Sequence, residues 1–297
     1  MAIPLALHGP ATLALPGLLL AALATTIALQ TGIVNLSALG GHSASLAPDT
    51  TLIAPRPYSY RAPGDFLRGT AAVDGTLVTV DDPAPLEIMT YQVSAAEYAR
   101  CVADGACAKA EPRRRSEGNV PATGVSFLDA TAYAAWLSAK TGETWRLPSV
   151  AEWAFAAGTR ATDPALQVDN ANNPADRWLV AYQREAELGD GGNAAPSIRG
   201  TFGINELGLV DIAGTVWEWT TTCNSRTTLG PTGEALHHVE SCGVKVLEGR
   251  HRTLMSDFVR DAKSGGCSTG TPPDNLGFRL VRDPGPIGAM LRWIGLR

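Results

Sequence analysis

The sequence predicts an α+β domain of low regular content, in which helices and short strands are joined by long loops. Three observations point there. Short alternating apolar runs recur, such as LVTV (Leu77 to Val80) early and GFRLVR (Gly277 to Arg282) late. N-cap residues open helical patterns at Ser94 and Ser149. The chain also holds 31 Gly and 20 Pro, a loop-rich composition foreign to helical bundles. With 297 residues and 45% hydrophobic content it can bury one large core.

Taken in order, residues 1–45 read as a signal sequence or N-terminal membrane anchor. No Asp, Glu, Lys or Arg precedes Asp49, and Ala11 to Val34 is long enough to cross a hydrocarbon core of ~30 Å. Residues 46–65 are Pro-rich and read as a linker ending in an extended segment, so the domain is expected over 66–283 with a C-terminal tail at 284–297. LVTV and LEIMTYQV (Leu86 to Val93) read as strands, and AAEYARCVA (Ala95 to Ala103) as a helix capped by Ser94. Asp129 is the expected cap of the next helix, with Ala132, Ala135, Trp136 and Leu137 inward and Gly142 as its stop. Ser149 and Glu152 form a capping box for a third. Regular pattern is then lost for almost fifty residues after Gly158, where Gly, Asn and Asp dominate. A polar insertion follows Cys223, then a strand at KVLEG (Lys245 to Gly249) and another at GFRLVR.

The net charge of −5 and the lack of any basic run beyond Arg113 to Arg115 exclude nucleic acid as a partner. The five cysteines allow two short-range bridges, Cys101 with Cys107 and Cys223 with Cys242, leaving Cys267. Cys267 is an alternative partner for either of the second pair. Two bridges imply an oxidising compartment, the periplasm or cell exterior.

Three segments in a fixed order carry a resemblance: RLPSVAEW (Arg146 to Trp153), GLVDIAGTVWEW (Gly208 to Trp219) and NLGFRLVR (Asn275 to Arg282). With QVSAAEYARCV (Gln92 to Val102) and the stretch from Asn119 to Gly158, they resemble the formylglycine-generating-enzyme, or sulfatase-modifying-factor, family. The resemblance implies that family's compact α+β fold, related to C-type lectin domains. It implies calcium held by Asp211 and Glu218 through carboxylates and by Gly214 and Val216 through carbonyls. A second calcium site would use Asn172 and Asp190. Two nearby buried carboxylates are expected to want a cation.

The enzymes of the family hold copper between two cysteines and oxidise a substrate cysteine to formylglycine. That pair would fall near His251 to Ser256, where this chain has none. Candidate catalytic residues in the region are His251, Arg252, Arg260 and Cys267. Three readings of it compete: a salt-bridged face, with Arg260 structural; an arginine pocket for an anionic or peptide ligand; and a soft copper site from His251, Met255 and Cys267. The first functional expectation is an exported, noncatalytic accessory or maturation protein. Its partner would be a periplasmic redox enzyme, in the manner of family members found beside copper nitrite reductases. The alternatives are a formylglycine-generating oxidase and a glycan binder.

Overall fold

The computed structural model describes residues 46–114, 116–168, 173–188, 195–263 and 275–285. The chain divides into two compact units, Met1–Ala47 with Lys140–Gly142, and Pro48–Ala139 with Glu143–Arg297. The fold below is that of the second unit; the expected leader, and the expected tail beyond residue 285, lie outside the described residues. Among the described residues, no helix is long and apolar enough to cross a membrane.

The strands are β1 (Thr50–Ile53), β2 (Tyr58–Arg61), β3 (Asp65–Arg68), β4 (Ala71–Val73), β5 (Leu77–Val80) and β6 (Leu86–Met89). Helices α1 (Ala95–Ala103) and α2 (Phe127–Thr141) follow, then β7 (Thr144–Arg146), α3 (Val150–Ala157) and α4 (Pro174–Leu188). Next come β8 (Trp217–Leu229), β9 (Ala235–Glu248), β10 (Thr253–Ser256), β11 (Leu276–Gly277) and β12 (Val281–Asp283). One sheet has the order β1-β6-β12-β7, a second β10-β9-β8-β3-β4 with β11 beside β8, and β2 pairs β5. Ile53, Ile88, Trp153, Phe155, Leu209, Ile212 and Val281 form a continuous apolar core.

Local chemistry sets the helix starts. Ser94 with Glu97, and Ser149 with Glu152, each make a reciprocal capping box. Asp129 is not the cap of α2. Ser126 is, its hydroxyl taking the Asp129 N–H while the Asp129 carboxylate takes the Ser126 N–H, which places Asp129 in the first turn. The inward face of α2 is Tyr133, Ala134, Trp136 and Leu137, so Tyr133 and Ala134 replace the expected Ala132 and Ala135.

Three expectations need correction. The segment expected as a linker supplies β1 and β2. β1 pairs β6 and buries Ile53, so the Pro residues there only interrupt short strands. The polar insertion after Cys223 is a hairpin: β8 and β9 run antiparallel from Asn224↔Ser241 to Leu229↔Ala235. Thr227 and Leu229 supply the inward alternation, and β3 joins β8 in parallel at Asp65↔Arg226. The irregular stretch after Gly158 contains α4, which opens with Pro174 at its first position and Asn173 Oδ1 accepting the Ala175 N–H.

Candidate functional site

Four elements converge on Glu218, the second residue of β8. β11 lies parallel to it, pairing Leu276 with Trp217 and Gly277 with Glu218. Two residues further on, Arg279 turns into the core. Trp153 arrives from α3 and Gln92 from the connection between β6 and α1. Glu218 Oε1 accepts from Gln92 Nε2 and Arg279 Nη2, each at 2.8 Å. Its Oε2 accepts from Arg279 Nε at 2.7 Å and Trp153 Nε1 at 3.0 Å. The remaining guanidinium hydrogens go to the carbonyls of Met89, Thr90 and Val210. Both side chains are fully buried. Every donor of the fork and both lone pairs of each carboxylate oxygen are therefore used, the condition under which a buried ion pair is tolerated.

The loop before it is bent by left-handed backbone at Asp211 and Ala213, both with positive φ. Asp211 is rewarded locally: its carboxylate accepts the N–H groups of Gly200 (2.5 Å) and Phe202 (2.7 Å). Its carbonyl takes Gln92 Nε2 and the Gly214 N–H.

These contacts can be set against what calcium requires. Calcium asks for six to eight oxygens at about 2.3–2.6 Å. The Glu218 carboxylate is filled with N–H donors and the cation facing it is Arg279, while each oxygen of the Asp211 carboxylate already accepts one backbone N–H. One buried oxygen nearby, Gln92 Oε1, has no protein partner, and a single neutral oxygen is no cage. Asp211, Gly214, Val216 and Glu218 do not fit a calcium site. Asn172 and Asp190 lie outside the described residues.

The region expected to hold the copper cysteines follows β9. Glu248 faces Glu218 directly across the strands, and Arg252 Nε reaches it at 2.6 Å. Burial pushes the Glu248 carboxyl above its ordinary pKa, against the opposing pull of Arg252. Arg252 also donates to the Arg61 carbonyl. The His251 ring packs edge-on against Trp217, whose Nε1 donates to the His251 carbonyl. Met255, in β10, is completely buried. Arg260 is held elsewhere, gripping Asp129 of α2 with two N–H donors (2.6 and 2.8 Å) and Glu111 with a third. Burial works against the charged form of Asp129, yet this fork and the Ser126 bonds outweigh it and hold its pKa below the ordinary value. The structure thus brings His251 and Arg252 together but ties Arg260 into a structural pair. Cys267 lies outside the described residues.

Cys101 is bonded to Cys107 and Cys223 to Cys242. Among the described residues, the one cluster of three metal-ligating side chains is Cys223, Glu240 and Cys242. Its sulfurs are those of the second bridge, so it offers no thiolate. Sequence reasoning missed Arg279 as the partner of Glu218. The signal was there: an arginine inside the apolar run LGFRLV needs a buried anion.

The model of the sulfatase-modifying factor enzyme 1-like domain matches residues 47–284. The chain belongs to this family. Its start at 47 agrees with β1 and β2 being part of the fold. Among curated members, the mouse inactive C-alpha-formylglycine-generating enzyme 2 is 27% identical over 176 residues, 58% of this chain and 52% of that one. The formylglycine-generating enzyme of Streptomyces coelicolor is 28% identical over 173 residues, 56% and 53% of the two chains. That of Mycobacterium tuberculosis is 37% identical over 108 residues, 34% and 33%. This chain therefore spans about half the length, or less, of these sulfatase-modifying-factor relatives. Among solved structures, PvdO from Pseudomonas aeruginosa aligns with a TM-score of 0.52 at 24% identity, covering 81% of this chain and 96% of that one. At that identity the likeness speaks for the fold.

Proposed function

We propose that this protein is a noncatalytic, exported member of the sulfatase-modifying-factor family. In this reading it acts as an accessory or maturation factor for a periplasmic redox enzyme, one that itself carries copper. One observation carries the first half. Four of the five cysteines are consumed in two disulfides, which leaves Cys267 as the only sulfur able to become a thiolate. The family's oxidation needs two thiolates on one copper ion, and soft Cu(I) held by a single thiolate is held much more weakly. Similarity alone does not choose, because the relatives include both proteins named formylglycine-generating enzyme and proteins named inactive.

Export is supported by the two bridges, which suit an oxidising compartment, and by the uncharged, apolar run before Asp49. A copper-containing redox partner rests on the resemblance to family members of the nitrite-reductase accessory type. The test is oxygen consumption by the purified full chain with copper and a cysteine-containing sulfatase peptide. The proposal expects none above the peptide-only rate. Steady uptake coupled to loss of the peptide thiol would instead establish the alternative, a formylglycine-generating oxidase using Cys267 with a second thiolate from elsewhere.

A further inference from the structure

A cleft of about 870 Å³ opens between β3 and β4, residues 164–166 and α4, with Arg252 also in its lining. Its size falls within the ~300–1,000 Å³ of small-ligand sites. None of the residues around Glu218 or Arg260 lines it.

Its walls have a specific chemistry. Along α4, Trp178 and Tyr182 stand one turn apart with rings 5.7 Å between centroids and only 16° from parallel. They are 61% and 62% exposed, whereas every other described tryptophan is buried. An aromatic plate kept in solvent is available to a flat apolar face of a ligand.

The same lining holds guanidinium–carboxylate pairs. Arg177 Nη2 holds Asp74 Oδ1 at 2.9 Å, and Asp74 also accepts two backbone N–H groups from residues 166 and 167. Arg226 and Asp65 face each other more loosely, at 3.8 Å, and both are exposed. Each pair sets donors beside an acceptor. A sugar hydroxyl both donates and accepts, so it can use both members at once. A simple carboxylate ligand would meet Asp65 and Asp74 as repulsive neighbours. Each arginine of the lining has a carboxylate beside it, Arg61 with Asp163, Arg177 with Asp74, Arg252 with Glu248 and Arg226 with Asp65, and Arg226 is both the loosest held and the most exposed, which leaves its guanidinium the one open to an anionic group of a ligand.

We propose that this cleft binds an acidic oligosaccharide. One sugar ring lies on the Trp178–Tyr182 plate, its hydroxyls bridge Arg177 and Asp74, and a sugar carboxylate takes the loosely held Arg226 fork. This assignment stands independently of the accessory role, since its contacts are with Trp178, Tyr182, Arg177, Asp74 and Arg226 and with none of the five cysteines.

The test is titration of the full chain with tetragalacturonate, maltotetraose and hexaglutamate at low ionic strength, read by tryptophan fluorescence and calorimetry. The proposal expects saturable binding of tetragalacturonate, at least tenfold tighter than maltotetraose and than hexaglutamate. Trp178→Ala should weaken it tenfold or more, with Trp178→Phe restoring most of it. Arg226→Gln should narrow the acidic-over-neutral preference. These side chains are exposed, so the melting temperature should stay unchanged in all three variants. Failure of tetragalacturonate to saturate, or undiminished binding by Trp178→Ala, overturns the proposal. Tighter binding of hexaglutamate overturns it in favour of an acidic peptide.

Discussion

Replacing Glu218 by alanine removes the carboxylate that answers all four donors around it. Arg279 then stays buried with its charge uncompensated, and Gln92 Nε2 and Trp153 Nε1 each lose an acceptor. Breaking a buried pair from one side costs about 3–5 kcal/mol. In a domain of this size, each kcal/mol moves the melting temperature by about 2–4 °C, so the loss should be roughly 6–20 °C. The assay is thermal unfolding of wild type and Glu218→Ala, each with millimolar calcium and with chelator. The same drop is expected in both buffers, because the cation serving Glu218 is covalently part of the chain. The double variant Glu218→Leu with Arg279→Met should recover much of the loss, since a packed apolar pair replaces the ionic one. The reasoning is refuted if the drop appears only with calcium, or if calcium stabilises the wild type and that effect vanishes in Glu218→Ala.

Three further outcomes follow from the same contacts. Cys223→Ser with Cys242→Ser should destabilise by about 3 kcal/mol on the chain-entropy account, measured by urea unfolding; an unchanged midpoint would show that the hairpin pairing alone sets the loop. Titration of thiols on denatured, unreduced protein should return one per chain, and a count of three or five would mean that the bridges do not form. Because the Asp129 pKa is depressed on folding, its contribution to stability is present above the unfolded value of about 3.9 and is lost as pH falls through the lower folded value. Melting curves from pH 6 down to pH 2.5 should therefore show an acid loss that Arg260→Gln makes shallower; an identical slope in that variant would remove the pair from the account.

What the sequence discloses and what it hides have physical causes. Capping boxes are local, three residues apart, so Ser94 and Ser149 could be read directly. The order of RLPSVAEW, VWEW and NLGFR carried the fold for the same reason: each is a short segment with its own chemistry. The four-residue strands β1 and β2 were hidden because Pro-rich sequence looks like linker unless its pairing partner, β6, is known. α4 was hidden because its Asn-rich approach resembles a loop, although Asn173 and Pro174 together are a helix-start signal. The Arg279 partner of Glu218 was hidden for a third reason. It was right that buried Glu218 needs a cation, but the partner lies in a segment 61 residues away and only the fold brings it there. Arg260 was read both as structural and as a catalytic candidate, because its partner Asp129 could not be seen across a contact that is long-range.

Whether this scaffold can oxidise a thiol turns on sulfur. Copper K-edge X-ray absorption on the full, oxidised chain loaded with one equivalent of Cu(I) reads the metal's neighbours directly. With one thiol left outside the bridges, no more than one short copper–sulfur contact from a thiolate is expected. A linear site with two thiolate sulfurs from a single chain would contradict the account.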